Sequence, residues 1–467
     1  MESVIIIVFV MGYLAITLEH NIKLDKLIPA LIMMAVCWAL VALGVDNFTN
    51  WFDSSKHGLV DGFASMIHAD KLHLVEETLL HHLGKTAEIL VFLLGAMTIV
   101  EIIDYFDGFS TIKGYVNFKS KKKLLWMFAI LAFILSAIID NLTATIVLIS
   151  ILQKIVKNRD ERIWFTGLII IAANAGGAWS PIGDVTTTML WIGKKVTTLK
   201  LIEYLLLPSL LCMAVPAFIA SFLPAFKGDI DFDENEVEKP KSMHSARMLY
   251  LGLGAILFVP VFKTVTHLPP YVGMMLSLAV VATFAEIYSR SKFSMTDFNS
   301  GESDENAHHS PVHHSLSKIE MPSILFFLGI LMAVAALESL GILFNFASTL
   351  QDSIPMMGTE MHTTGVTGVS DLVVMLLGVG SAIIDNVPLV AASLGMFSEP
   401  LDNELWHFIA FSAGTGGSML IIGSAAGVVA MGMEKIDFFW YFKKISWLAL
   451  IGFVVGSAAF MVTRTLF

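Results

Sequence analysis

The hexapeptide SAIIDN stands at residues 136–141 and occurs again, unchanged, at residues 381–386. About forty residues after each copy comes a glycine-rich segment, NAGGAWSPIGD at 174–184 and GTGGSMLIIGS at 414–424. Three glycines of the first segment fall on glycines of the second at a constant offset of 240 residues. A repeated hexapeptide followed by a matching glycine pattern indicates that the chain is built from two related halves.

The composition places both halves in a membrane. The 467 residues are 56% hydrophobic and 15% charged, whereas soluble domains contain about 25% charged residues. Continuous apolar runs of about 17–25 residues predict membrane-spanning helices, not the short alternating strands of an outer-membrane barrel. The net charge of −11 argues against nucleic-acid binding. The only two cysteines, Cys37 and Cys212, lie far apart and argue against a disulfide framework.

The apolar runs form two sets of six with the same order and similar lengths. The first set lies in residues 1–226 and the second in 248–467, and a polar linker covers 227–247. The fourth run of each set, at 124–156 and 370–398, is interrupted by Asp-Asn. An Asp-Asn pair would be costly facing lipid, so each of these runs is predicted to be a re-entrant hairpin with the pair at its tip, facing a wet cavity.

The fifth run of each set, at 163–193 and 405–433, contains the glycine-rich segment. Glycine and proline inside an apolar run predict a broken helix that exposes backbone groups beside a cavity. Five crossing helices and one hairpin give each half an odd number of crossings. The second half is therefore expected to be inverted relative to the first, as in many secondary transporters. The expected fold is an all-α polytopic membrane protein of two inverted repeats.

The basic residues predict the orientation of the chain. Segments on the side from which the first hairpin enters hold 21 of the 29 lysines and arginines. The positive-inside rule makes that side cytoplasmic. The 227–247 linker is then cytoplasmic, the second hairpin enters from outside, and both termini are predicted to be periplasmic. The expected membrane is a bacterial inner membrane.

The two hairpin tips are the strongest candidates for chemistry. Asp140 and Asp385 are each followed by an amide, Asn141 or Asn386. Carboxylate, amide and hydroxyl oxygens are the ligands that small hard cations prefer. A buried carboxyl group favours its neutral form more than a solvated one does, so it can bind a proton or a cation but not both, which would give exchange. The alternative interpretation is that these residues only cap the helix ends at the tips.

Other polar side chains lie close to the predicted breaks. The candidate ion ligands beyond the hairpin pairs are Ser136, Asn174, Asp184, Thr186, Ser381, Thr415 and Ser418. Because Asp184 adds a second carboxylate to the first half, the main proton-coupled cation site is predicted there. For the glycines, the alternative is close helix packing through small residues. Glu88 and Glu101, in the third apolar run, are candidates for tuning ion or proton access.

These motifs resemble those of the NhaD-type sodium/proton antiporters of the ion transporter superfamily. The paired SAIIDN hairpins, NAGGAWSPIGDVTT at 174–187 and GTGGSMLIIGSAAG at 414–427 carry the resemblance, which covers essentially the whole chain. It implies scaffold and transport subdomains, a homodimer and elevator-like alternating access. The residues that it implies in ion binding are Asp140, Asn141, Asn174, Asp184, Thr186, Ser381, Asp385, Asn386 and the stretch 418–424.

The sequence therefore predicts secondary exchange of sodium, and also lithium, for protons, with no catalytic residues and no cofactor. A GxxxxGK[ST] phosphate loop is absent from the sequence, which excludes an ATP-driven pump within this chain. The alternative is sodium-coupled symport of an organic anion. Relatives of that kind typically carry Ser-Asn-Thr at the hairpin tips, whereas Asp140 and Asp385 would repel an anion at short range. An intramembrane aspartyl protease is disfavoured because its usual GxGD is missing.

Overall fold

The structure is a computed structural model. It describes residues 1–17, 22–53, 58–113, 118–230, 244–296, 310–343, 370–383, 386–397 and 399–466. Asp385, one of the two predicted hairpin-tip carboxylates, lies outside the described residues.

The described chain is helical almost throughout. The helices of the first half are α1 (Glu2–Thr17), α2 (Leu27–Leu43), α3 (His68–Tyr105), α4 (Ser110–Lys113), α5 (Lys121–Ile139), α6 (Asn141–Ile155), α7 (Arg159–Gly177), α8 (Val185–Ile192) and α9 (Thr198–Ala220). Those of the second half are α10 (Ser245–Thr266), α11 (Pro270–Thr296), α12 (Pro311–Lys318), α13 (Met321–Ser339), α14 (Asp371–Ser381), α15 (Asn386–Met396), α16 (Glu404–Gly416), α17 (Ala425–Glu434), α18 (Phe438–Lys444) and α19 (Ser446–Thr463). Strands β1 (Phe52–Asp53) and β2 (Gly58–Leu59) pair antiparallel.

Long apolar helices confirm the prediction of a polytopic membrane protein. Within the described residues, seven helices are long and apolar enough to cross a membrane, namely α3, α5, α9, α10, α11, α13 and α19. Shorter apolar helices include α6, α14, α15 and α17. These four shorter helices all come from the runs that the sequence predicts to be hairpins or broken helices.

The four predicted interruptions appear as helix breaks. Residues 124–156 divide into α5 and α6 at Asp140, whose φ of 81° lies in a region that residues other than glycine rarely adopt. The run at 163–193 divides into α7 and α8. In the second half, the run at 370–398 divides into α14 and α15, and the run at 405–433 divides into α16 and α17.

The third apolar run is longer than the sequence indicated. The sequence predicts a partly amphipathic surface helix at 59–84 within a polar segment, followed by an apolar run at 88–106, whereas α3 is one helix of 38 residues that begins at His68. At 1.5 Å per residue it is about 57 Å long, nearly twice the hydrocarbon thickness of a bilayer. A helix of this length can extend its polar first turns beyond the hydrocarbon, and the change in composition hid their continuity with the apolar part.

The helices pack in two groups. The first group contains the early helices of both halves, α1 to α3 with α10, α11 and α13. The second group contains the hairpin arms, the broken helices and the last helix of each half, α5 to α9 with α14 to α17 and α19. The groups meet where α13 contacts α15, where α3 contacts α8 and where α10 contacts α5.

Matching contacts recur in the two halves of the second group. A Cβ added to Gly176 of α7 would overlap the backbone of Phe133 in α5. A Cβ added to Gly416 of α16 would likewise overlap the backbone of Gly378 in α14. The glycines therefore let each broken helix lie directly against the first arm of its hairpin.

Two polar contacts join the halves at the ends of the broken helices. Thr197 follows α8, and its backbone N and Oγ1 donate to the carboxylate of Asp402, just before α16, at 2.6 and 2.9 Å. Arg162, in the first turn of α7, donates from Nε to both carboxylate oxygens of Glu434, at the end of α17, at 2.8 Å. The end of the first broken helix is thus bonded to the start of the second, and the end of the second is bonded to the start of the first.

A buried ion pair anchors the entry of the second hairpin. Arg464, just after α19, donates from Nη1 and Nη2 to the two carboxylate oxygens of Asp371, each at 2.7 Å. Bidentate pairs of this kind combine charge with fixed geometry. Asp371 is the first residue of α14, so the contact fixes where that arm starts against the last helix of the chain.

Arg464→Met should destabilise the protein by about 3–5 kcal/mol, because it leaves the carboxylate of Asp371 buried without its bidentate partner. We expect a lower midpoint of thermal unfolding in detergent, measured by intrinsic fluorescence. Lys443→Met, which changes an exposed lysine of α18, is the matched control and should leave the midpoint unchanged. Equal midpoints for the two variants would contradict the anchoring role.

Candidate functional site

The carboxylate of Asp184 lies at the break between α7 and α8. Asp184 caps α8, and its Oδ1 accepts from the backbone N of Thr186 at 2.9 Å and from Thr186 Oγ1 at 2.8 Å. The residue is only 2% exposed. A buried carboxylate is tolerated only when hydrogen bonds replace its water shell, and Thr186 supplies two of them.

Both hairpin tips meet at this carboxylate. Asn141, the first residue of α6, donates from Nδ2 to Asp184 Oδ2 at 2.8 Å. Asn386, the first residue of α15, donates from Nδ2 to the same oxygen at 3.1 Å. The sequence assigned these asparagines to separate hairpins with separate ion ligands. The structure instead brings an amide from each half to one carboxylate of the first half.

Asn174 of α7 extends the network to the second broken helix. Its Oδ1 accepts from Asn141 Nδ2 at 3.0 Å, and its own Nδ2 donates to Ser424 Oγ at 3.0 Å. Ser424 caps α17 through a hydrogen bond from the backbone N of Gly427. Ser424 belongs to the stretch 418–424 that the resemblance implies in ion binding, and the repeat offset of 240 residues places it on Asp184.

Asp140 sits at the edge of this network. Its two carboxylate oxygens accept from the backbone N and the Oγ1 of Thr143, at 2.8 and 2.9 Å. The capping role that the sequence left as an alternative is therefore present. A carboxylate has about four lone-pair sites, so the two bonds from Thr143 leave room for a further ligand. Unlike Asp184, Asp140 is partly exposed.

The predicted hydroxyl ligands donate to backbone carbonyls. Ser136 Oγ donates to the carbonyl of Ala173 at 2.5 Å, and Ser381 Oγ donates to the carbonyl of Ala413 at 2.7 Å. Thr415 and Ser418 bond to carbonyls of their own segment. In this arrangement the two hairpin serines tie each first arm to its broken helix. An ion-binding role for these four hydroxyls stays a prediction.

One cavity reaches the first hairpin tip. It has a volume of about 440 Å³ and is lined at its inner end by Leu142 and Thr143, next to Asp140. Glu101 of α3 lines the same cavity, and Lys154 and Lys318 lie along its wall. These lysines belong to segments that the sequence places in the cytoplasm. The cavity therefore lies between the turn that follows Asp140 and lysines on the side from which the first hairpin is predicted to enter.

A second cavity lies around the other end of α8. It has a volume of about 590 Å³, and Glu88 and Glu338 line it together with Lys85, Lys194 and Lys195. Glu88 and Glu101 therefore face different cavities, although both belong to α3. Their separation of 13 residues corresponds to about 20 Å along the helix. The structure does not bring either glutamate into the Asp184 network.

Comparison with known proteins gives consistent matches over the chain. Residues 6–406 match the family described as citrate transporter, CitMHS. The chain is 40% identical to sodium/proton antiporter 1 of Arabidopsis thaliana over 98% of this chain and 72% of that protein. It is 30% identical to the Na(+)/H(+) antiporter NhaD of Vibrio cholerae over 97% of this chain and 89% of that protein.

The fold also matches a solved structure. The crystal structure of the Alcanivorax borkumensis YdaH transporter covers 95% of this chain and 98% of its own, with a TM-score of 0.57. The sequences are 13% identical, so this likeness concerns the fold alone.

Proposed function

Since the chain belongs to the citrate transporter family and, within it, to the NhaD-type sodium/proton antiporters, we propose that it exchanges sodium, and also lithium, for protons across the membrane. The observation that carries the proposal is the buried Asp184 carboxylate, on which an amide from each hairpin tip converges. Such a group can hold a proton or a monovalent cation, so the protein works as a secondary transporter, not as an enzyme.

The exchange step follows from the donors around Asp184. Asn141 and Asn386 now present N–H groups to the carboxylate. A sodium ion needs oxygen ligands, and rotation of either amide would present its Oδ1 in place of Nδ2. Sodium entering from the cavity beside Thr143 would thus displace a proton and recruit these amide oxygens. Asp140, at the mouth of this path, would supply a second carboxylate.

The architecture that we propose is two inverted repeats, residues 1–226 and 248–467, each with five crossing helices and one re-entrant hairpin. The paired contacts of Gly176 and Gly416 with the first arms of the hairpins support the repeat. We further propose that the first group of helices is the scaffold and the second the transport subdomain. The contacts of Thr197 with Asp402 and of Arg162 with Glu434 would let the second group move as one unit, as an elevator requires.

The assembly and its location are part of the same proposal. We place the protein in a bacterial inner membrane with both termini periplasmic, because most lysines and arginines then face the cytoplasm. The resemblance to NhaD-type antiporters supports a homodimer.

Sodium-coupled organic anion symport is the second candidate, favoured by the description of the family as citrate transporters. A dicarboxylate in the network would lie against the carboxylate of Asp184 and close to that of Asp140. Repulsion between like charges at about 4 Å is strong when water is excluded. We therefore rank this candidate below cation exchange.

The proposed exchange can be tested with the purified protein in liposomes that hold a preformed pH gradient. Sodium or lithium added outside should dissipate the gradient, as followed by a fluorescent amine, whereas choline should not. Empty liposomes are the control for leaks. A gradient that survives sodium and lithium would refute the proposal. Sodium uptake that requires added citrate or succinate would favour the symporter instead.

A further inference from the structure

A lysine of the first group reaches across to the second. Lys263, in the last turn of α10, donates from Nζ to the backbone carbonyl of Trp191 at 2.9 Å. The same ammonium lies 4.0 Å from the centroid of the Trp191 ring. Trp191 is 1% exposed and is the penultimate residue of α8. A charged side chain thus bonds to the very end of a broken helix in the other group.

The contact suits the chemistry of both partners. The last carbonyls of a helix carry a partial negative charge and lack partners within the helix, so a cation there is favourable. The face of an indole ring also attracts an ammonium group. Phe92 of α3 packs edge-on against the same ring, with centroids 6.4 Å apart. Lys263 therefore binds the carboxyl-terminal end of α8, whereas Asp184 caps the other end of the same helix.

The contact lies on the side away from the path to the site. Ile192, Gly193 and Lys194, which follow Trp191, line the 590 Å³ cavity. The residues beside Asp140 line the other cavity. The 440 Å³ cavity thus adjoins the first hairpin tip, whereas the contact between Lys263 and Trp191 lies next to the other cavity.

We propose that Lys263 is a latch that stabilises the state open toward the first hairpin, by holding α8 of the transport subdomain against α10 of the scaffold. The inference rests on the proposed elevator exchange, because sliding of the second group along the first would have to break this bond. Gly395 of α15 packs close to the side chains of Glu338 and Leu343 across the same boundary, and packing of this kind can be remade after a slide.

The test measures the distance between the groups directly. Spin labels at Leu268, which follows α10, and at Leu199, in the first turn of α9, report on the two groups from exposed positions. Cys37 and Cys212 are replaced by alanine in the full-length protein. Loss of one charge-assisted hydrogen bond should shift the ratio of the two states by about tenfold. In Lys263→Met we expect fewer molecules to show the distance between labels that is seen in the parent protein, and a second distance to appear.

Two further variants separate the latch from a general loss of charge. Lys263→Arg keeps a cation and should retain the parent distances. Lys26→Met removes an ammonium that lies 4.6 Å from the ring centroid of Phe326, with both partners in the first group, and should also retain them. Unchanged distances in Lys263→Met would overturn the latch, as would equal shifts in Lys26→Met.

Transport measurements on the same variants keep the two proposals apart. If the latch is correct, Lys263→Met should raise the half-saturating sodium concentration on the side of the first hairpin by severalfold and lower it on the other side. If the parent protein carries no sodium but Lys263→Met still shifts the distance, the exchange is refuted and the latch is kept. Normal exchange with unchanged distances and half-saturation would refute the latch alone.

Discussion

Asp184→Asn should reduce sodium-driven proton exchange by at least about 100-fold while the protein stays folded. The substitution keeps the size of the side chain but removes the charge and the titratable proton. It also places an amide opposite the Nδ2 groups of Asn141 and Asn386. If the new NH₂ group replaces Oδ2, N–H groups face each other and these two donors lose their acceptor. The variant thus lacks the group that would exchange a proton for sodium at this position, and two charge-assisted hydrogen bonds of about 1.5–3 kcal/mol each are also weakened.

The measurement is the initial rate of sodium-induced collapse of a pH gradient in everted vesicles, normalised to the amount of folded protein. Asp160→Asn, in the first turn of α7 with a side chain 88% exposed, is the matched control and should keep the full rate. Asp140→Asn should also abolish exchange, because Asp140 bonds to Thr143, which lines the cavity, and directly precedes Asn141 of the network. If Asp140→Asn loses exchange while Asp184→Asn keeps the full rate, the centre of the site is the hairpin tip and not Asp184.

Gly176→Val should severely destabilise the native fold. A Cβ at this position would overlap the backbone of Phe133, and backbone cannot move aside as a flexible side chain can. Overpacking typically costs about 1–3 kcal/mol, and separating α5 from α7 would also disrupt the bond between Ser136 and Ala173. We expect loss of the monodisperse peak in detergent gel filtration, or a much lower unfolding midpoint.

Gly254→Val is the matched control for this prediction. Gly254 lies inside α10, and a Cβ there would meet no atom within 4 Å. The change from glycine to valine within a helix is otherwise the same, so its effect on helix propensity is shared by both variants. If the two variants unfold at the same midpoint, close packing at Gly176 is not what holds α7 against α5.

The sequence predicts the helix breaks well because their signals are local. Asp-Asn inside an apolar run, and Gly177, Pro181 and Gly183 within eleven residues, disfavour a continuous helix wherever they occur. The internal repeat then indicates which breaks correspond. The continuity of α3 was missed because the amphipathic helix predicted at 59–84 and the apolar run at 88–106 differ in composition and were interpreted as separate elements.

The centre of the site could not be predicted in the same way. Asn386 and Asp184 are 202 residues apart, and no local pattern indicates that the second hairpin tip meets the first broken helix. The sequence therefore emphasised Asp140, whereas the described contacts converge on Asp184. Ser424 lies in the stretch 418–424 that the resemblance implied, but no local pattern indicated that it would accept a hydrogen bond from Asn174, 250 residues away.

The long separation between Asp184 and Asn386 also has a consequence for synthesis of the chain. While the ribosome is still making the second half, Asp184 has its partners Thr186 and Asn141 within reach, but Asn386 has not yet entered the membrane. The first half must then wait in the bilayer with its most deeply buried acidic group short of a hydrogen-bond donor. Only the arrival of the second hairpin, with Asn386 at its tip, completes the shell around this carboxylate.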